Sequence, residues 1–161
     1  IDASFKAYGD AVENASTQTA TRMIINRVLS MVRTSTAHGP LEAVPADGVI
    51  LTGDIVTSPY IELIDAGGQI IRIEHDDVAE TINLVVEPGT AAEQSYPMID
   101  NVVAAEFALR RRTNRAGLLV LERATIDLTV QPAEDKTLSV ENGATVPVRM
   151  IASTMPRKVE P

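Results

Sequence analysis

The sequence predicts an α+β fold, in which one long N-terminal helix packs on one face of an antiparallel β-sheet. Three observations support this prediction. Residues 1–36 contain no proline and one glycine, Gly9, before a helix stop at residues 37–40. From Pro59 the spacing of apolar residues changes from the helical period to alternation. Turn residues then separate five to seven short segments, which is typical of an antiparallel meander in a single globular domain.

Residues 1–36 form the predicted helix, and its apolar positions change face along its length. Six positions at steps of three and four form a narrow stripe, here called the helix stripe: Phe5, Tyr8, Val12, Ala15, Thr19 and Met23. From Ile24 to Val32 a wider apolar arc faces roughly the other way. The arc suits a helix that supports a sheet, and the stripe predicts contact with another chain. Two helices with a bend near residues 19–21 are the alternative, although no glycine or proline marks a break there.

After the helix, residues 37–57 are predicted to be a connecting loop with at most one short strand, at residues 49–51. Residues 58–155 are predicted to form the sheet, and residues 156–161 a frayed tail. The predicted strands are residues 60–64, 70–75, 81–87, 102–112, 118–130, 137–141 and 145–154, with residues 91–97 irregular. A shift in apolar parity predicts a β-bulge near Arg123 and Ala124.

Composition excludes some classes of function. A net charge of −8 and a pI near 4.7 argue against a nucleic-acid partner, because phosphate binding needs clustered lysine and arginine. The absence of cysteine removes disulfides and thiolate chemistry. No apolar run approaches the ~20 residues that cross a bilayer. Because the sequence begins at Ile1 and not at Met, we expect its natural N-terminus, with any signal or anchor, to lie upstream.

The sequence contains no recognisable arrangement of catalytic residues. Neither of its two histidines, His38 and His75, lies in a recognisable nucleophile motif, so we predict that the protein is not an enzyme and has no cofactor. Two acidic groups are candidate metal sites: His75, Asp76, Asp77 and Glu80 on one turn, and Glu134, Asp135 and Glu141 around the last hairpin. Short acidic turns are more often simply solvated, and the regular calcium-loop spacing is absent, so we predict no metal.

One basic cluster stands out, Arg110, Arg111, Arg112 and Arg115, at the end of a predicted strand and in the following turn. No aromatic side chains interleave with it to stack on bases. These arginines are expected to protect a sheet edge, to pair with an acidic group such as Glu122, or to meet an acidic neighbour in an assembly.

Several segments together resemble a known family. Residues 20–33 interleave arginines among aliphatic side chains, residues 70–75 and 81–86 form a hairpin, and residues 98–102 lead into the strand 103–112. This layout resembles the soluble part of a type IV pilin-like protein, and more narrowly the J-type minor pseudopilins of bacterial type II secretion and the related minor pilins. The lack of a cysteine-bounded C-terminal region favours a pseudopilin or minor pilin over a major pilin.

The resemblance implies a structural role in assembly of a type IV pilus or a type II secretion pseudopilus. It implies a prepilin whose hydrophobic helix half precedes Ile1 and anchors the protein in the inner membrane of the cell envelope before assembly. The globular part would be periplasmic or extracellular, and the helix stripe would contact other pilin or pseudopilin subunits. The membrane would be reached only through the missing segment, and nucleic acid would not be a partner. The alternative is an extracellular or phage-tail-like binding module without catalysis.

Overall fold

The computed structural model describes residues 2–35, 37–39, 55–117, 119–132 and 146–156, with the side chains of residues 2–14, 37, 38 and 119 outside that description. Within it, one helix, α1 (Asp2–Thr34), is followed by nine strands that form two antiparallel sheets. The predicted fold class, a long helix on one face of a single sheet, is therefore wrong. The protein is mostly β, and Thr21 is the first buried side chain among the helix side chains that the structure describes, which start at Ala15.

The first sheet has five strands in the order β1-β3-β4-β5-β6. These are β1 (Ala37–Gly39), β3 (Tyr60–Ile64), β4 (Ile70–Asp76), β5 (Thr81–Val86) and β6 (Gln94–Ile99). From β3 onward each strand pairs with the next one along the chain. Asp65 closes the β3–β4 turn by accepting hydrogen bonds from the amides of Gly67 and Gln69. Local turns of this kind explain why alternation predicted β3, β4 and β5 well.

The second sheet has four strands in the order β2-β7-β8-β9. These are β2 (Ile55–Ser58), β7 (Val102–Thr113), β8 (Leu119–Val130) and β9 (Val148–Thr154). Strand β2 pairs with β7, although the whole of the first sheet from β3 to β6 lies between them in sequence. A register shift after Arg110 leaves Glu122 as the extra residue of β8, one position before the predicted bulge.

Two crossings of the chain between the sheets lie within the described residues, from β2 to β3 at Pro59 and from β6 to β7 through residues 100 and 101. Pro59 alone separates β2 from β3, and its carbonyl accepts a hydrogen bond from the amide of His75 at 3.0 Å. At the second place, the amide of Val102 donates to the carbonyl of Glu80 at 2.8 Å. The backbone of the β4–β5 turn is thus bonded directly to the first residue of β7.

One hydrophobic core lies between the sheets and the end of α1. It takes Ile25, Val28, Leu29 and Val32 from the helix, Ile61, Leu63, Ile73 and Ile82 from the first sheet, and Phe107, Leu109, Ile126 and Leu128 from the second. The predicted apolar arc of the helix does enter this core, since four of its six apolar residues are 7% exposed or less. The arc shares this core with side chains of both sheets, and does not pack on one sheet alone.

Other predicted boundaries also need correction. The loop assigned to residues 37–57 contains β1 and most of β2, and the irregular stretch 91–97 contains most of β6. Strand β1 was not predicted because it is only three residues long. Strand β6 was not predicted because it contains Pro97, a residue that is tolerated on an edge strand. The strand predicted at residues 49–51, the strand at residues 137–141 and the tail from residue 157 lie outside the described residues. Of the last hairpin, β9 alone is described.

Candidate functional site

The helix α1 connects the core to the candidate contact surface. Its C-terminal end is fixed by local bonds: the amide and the hydroxyl of Ser35 both donate to the carbonyl of Met31, at 3.0 and 2.7 Å. The Nε of Arg33 donates to the hydroxyl of Thr154 on β9. Thr21 is fully buried, and its hydroxyl is satisfied within the helix by the carbonyl of Thr17 at 2.7 Å. These bonds fix the end of the helix in its own last turn and to β9.

The described half of the helix stripe faces away from the core. Ala15 and Thr19 are exposed, and Met23 is 66% exposed, whereas Ile25 two residues later is 4% exposed. The hydroxyl of Thr19 donates to the carbonyl of Ala15 at 2.8 Å, so this side chain presents its methyl group to solvent. The other predicted stripe residues, Phe5, Tyr8 and Val12, have side chains outside the description. An apolar residue as exposed as Met23 marks this side of the helix as a candidate contact surface.

The candidate metal group at the β4–β5 turn is engaged in local structure. The Nε2 of His75 donates to the carbonyl of Val102 at 2.8 Å. One carboxylate oxygen of Asp76 accepts from the amides of Val78 and Ala79, at 3.0 and 2.9 Å. Among the described residues no grouping of three or more histidine, aspartate and glutamate side chains is arranged to hold a metal ion. Residues 134, 135 and 141, the second candidate group, and the side chain of His38 lie outside the described residues.

A small crevice opens between α1 and the two sheets. Its volume is about 10 Å³, and its lining, from Ile24 on the helix to Phe107 on β7, is entirely apolar. A space of this size holds at most one water molecule, and an apolar lining gives a water no hydrogen-bond partner. This crevice therefore has neither the room nor the polar groups for a substrate.

The predicted basic cluster is divided by the alternation of β7. Arg110, Arg112 and Arg115 are exposed, but Arg111 is only 3% exposed and lies on the inward face after Phe107 and Leu109. Burial lowers the pKa of the Arg111 guanidinium. Successive side chains of a strand point to opposite faces, and this alternation along β7 could have distinguished Arg111 from Arg110 and Arg112.

The predicted pairing of the cluster with Glu122 is confirmed, since the Nε of Arg110 lies 3.1 Å from its carboxylate. Sequence reasoning missed Arg123, which lies directly across the β7–β8 ladder from Arg110 and is exposed. The exposed arginines Arg110, Arg112, Arg115 and Arg123 are called the arginine patch below.

A second polar cluster, on β3 and β4, was not predicted. Arg72 donates to one carboxylate oxygen of Glu62 through Nε at 3.0 Å and Nη2 at 2.6 Å, and its guanidinium lies 4.7 Å from the ring centre of Tyr60. Glu74 lies 3.8 Å away on the same face. Burial alone would lower the pKa of Arg72. The hydrogen bond and charge of Glu62, together with the charge of Glu74, raise this pKa by a larger amount, so the net shift is upward. This cluster joins strands and has no arrangement suited to proton transfer.

Comparison of the chain with protein-family models, with curated proteins and with solved structures finds no match. None of the helical sequence that the structure describes is both long enough and hydrophobic enough to cross a bilayer.

Proposed function

We propose that the chain is a structural assembly subunit, a minor pilin or pseudopilin of a type IV pilus or a type II secretion pseudopilus, and that the helix stripe is its contact with neighbouring subunits. The observation that carries the proposal is the division of α1 near Thr21. From Thr21 onward the helix contributes buried side chains, while between Ala15 and Ala20 only Thr17 is even partly buried.

The division leaves a helical segment, from Ala15 to Ala20, whose side chains the domain covers only at Thr17 and there only in part. Residues 2–20 are helical and extend for about 28 Å before Thr21. A helix stabilised only by its own hydrogen bonds is marginal in water, because most helical stability in proteins comes from packing an apolar face. The stripe faces nearly opposite to Ile25 and Val28, so a second chain can pack on it without disturbing the core.

The two-sheet body differs from the single sheet that the resemblance implied, so the proposal rests on the helix and on no likeness of fold. In the proposed arrangement the β body lies in the periplasm or outside the cell. An apolar segment encoded upstream of Ile1 holds the subunit in the inner membrane before assembly. No turnover chemistry is part of this function.

The first test is the native reading frame. We expect it to continue upstream of Ile1 with about twenty apolar residues behind a short basic leader. A folded soluble domain at that position would overturn the proposal and favour the alternative of an extracellular binding module.

The second test uses adjacent substitutions on the same helix. Thr19→Glu and Met23→Glu place a charge on the stripe, whereas Gln18→Glu places the same group about a quarter of a turn away, on another exposed position. In cells that produce the whole assembly, we expect the stripe variants to reduce recovery of the subunit in sheared filaments or cross-linked complexes, and Gln18→Glu to leave it unchanged. Equal recovery of all three variants, each with an unchanged melting temperature, would contradict the proposal.

A further inference from the structure

Charge is segregated along the middle of the chain. Residues 73–109 contain eight aspartate and glutamate residues and no lysine or arginine. The next fourteen residues, 110–123, contain five of the eleven arginines of the protein and a single acidic residue, Glu122. In a protein with a net charge of −8, such a reversal of sign produces one strongly basic surface on an acidic molecule.

The fold places the two charges at opposite ends of one strand. The β4–β5 turn is fixed at the start of β7, because the carbonyl of Glu80 accepts a hydrogen bond from the amide of Val102. Arg110 and Arg112 follow eight and ten residues later on the same strand. At about 3.3 Å per residue, roughly 30 Å separates the acidic turn from the arginine patch.

The arginine patch carries more charge than the described side chains around it neutralise. Arg110 and Arg123 face each other across the β7–β8 ladder, an arrangement that repels when neither charge has a partner. Glu122 pairs with Arg110, but in the part of the chain that the structure describes no ion pair involves Arg112, Arg115 or Arg123. Ile55 on β2 lies beside Arg110 and is 63% exposed. The surface therefore combines free positive charge with one apolar side chain.

The opposite end of β7 has the complementary composition. Asp77 and Glu80 are exposed on the β4–β5 turn, and no described ion pair involves either of them. Between them, Val78 is 90% exposed, more than any other large apolar side chain that the structure describes. Asp77, Val78 and Glu80 are called the acidic tip. An apolar side chain flanked by carboxylates matches the arginine patch in both charge and polarity.

We propose that the acidic tip of one copy of this chain docks on the arginine patch of a second copy, with Val78 against Ile55. Each copy uses a different surface, so the contact is heterologous and extends head to tail into chains. It involves none of the helix stripe, and therefore goes beyond the proposed function and holds or fails separately from it. Exposed charge pairs are individually weak and are screened by salt, so the association is modest and disappears at high ionic strength.

The test is a reciprocal charge exchange. One variant carries Arg112→Glu and Arg123→Glu, which leaves the Arg110–Glu122 pair intact. The other carries Asp77→Lys and Glu80→Lys. Association is measured by sedimentation velocity at about 0.02 M and about 0.5 M NaCl, where the Debye length falls from more than 20 Å to less than 5 Å. The control, Glu87→Lys with Glu93→Lys, makes the same change of charge on the β5–β6 turn at the far end of β5.

We expect the native chain to associate at low salt and to dissociate at high salt. Each exchanged variant alone should associate at least tenfold more weakly, by about 1.4 kcal/mol. An equimolar mixture of the two should recover association, because every contact in it is again between opposite charges. The control should associate like the native chain.

A native chain that remains monomeric at low salt would overturn the proposal. So would association that survives either exchange, or that the mixture of folded variants fails to restore. Binding of the patch to an anionic polymer without self-association would assign the patch to a different partner and would also overturn it.

Discussion

The Nε2 of His75 donates a hydrogen bond to the carbonyl oxygen of Val102 at 2.8 Å, and this bond joins the first sheet to the second. Val102 is fully buried, and its amide donates in turn to the carbonyl of Glu80. Both backbone groups of this residue are therefore held by the β4–β5 hairpin. The histidine that the sequence offered as a metal ligand is a structural side chain at the corner between two sheets.

Replacing this imidazole should weaken the corner. We expect His75→Ala to lower the free energy of unfolding by about 1 kcal/mol, because it removes a donor from a carbonyl on a buried residue. Urea denaturation measures the change. Asp77→Ala, on the exposed side of the same turn, should stay within about 0.5 kcal/mol of the native chain. If the two variants are equally stable, the His75 bond contributes nothing to the joining of the sheets.

The division of α1 predicts a large loss of stability at one position and almost none at another on the same turn. Ile25 is 4% exposed and lines the crevice between the sheets, so Ile25→Ala should cost about 2–5 kcal/mol in unfolding free energy. Met23 is 66% exposed, and Met23→Ala should change the unfolding free energy by less than about 0.5 kcal/mol. Thermal denaturation of both variants checks the pair. A large loss on Met23→Ala would show that the stripe is covered within the folded chain itself.

Asp127 on β8 predicts a dependence of stability on pH. Two hydrogen bonds from Arg149 on β9, at 3.0 and 2.5 Å, lower the pKa of its carboxyl group against a smaller opposing effect of burial. Because the folded pKa is the lower one, the contribution is complete above the unfolded value near 4 and is lost as pH falls through the folded value. Below about pH 5, we expect the unfolding free energy of Arg149→Gln to fall less steeply with decreasing pH than that of the native chain. Arg27→Gln, an exposed helix position, should leave the native profile intact.

The Arg72 cluster predicts that arginine cannot be replaced by lysine at this site. Lysine cannot donate two bonds to Glu62 while stacking a planar group on Tyr60. We expect Arg72→Lys to cost about 0.5–1 kcal/mol. A double-mutant cycle of Arg72→Ala with Tyr60→Leu isolates the ring contact, for which we expect a coupling of about 0.5–1 kcal/mol. Strict additivity in the cycle would mean that the ring contact at 4.7 Å contributes no energy.

Local periodicity explains what was predictable in this fold. The arc from Ile24 to Val32 and the alternation of β7 repeat over enough residues to identify the element and its buried face. Neither pattern records which sheet a strand joins. Ser58 belongs to the second sheet and Tyr60 to the first, with one proline between them, so no change in composition marks the passage. The partition into two sheets depends on distant pairings such as Ile55 with Arg110.

The candidate sites show the same limit. The stripe was visible because it follows the helical period, and its described half is exposed. The arginine patch was only partly visible, because Arg123 joins it through the β7–β8 register and not through its position in sequence. Arg111 was placed wrongly with its exposed neighbours, although strand alternation already assigned it to the inner face.

The pairing of β2 with β7 has a consequence for how the chain folds. Strands β3, β4 and β5 close through short turns and need little loop entropy, whereas Ile55 must meet Arg110 across 54 intervening residues. We expect the local hairpins to form before the rate-limiting step and β2 to pair with β7 after it. Val56→Ala should then chiefly accelerate unfolding, while Ile73→Val should chiefly slow refolding, in stopped-flow chevron experiments. The reverse pattern would place the first stable contacts of this protein in its most distant strand pair.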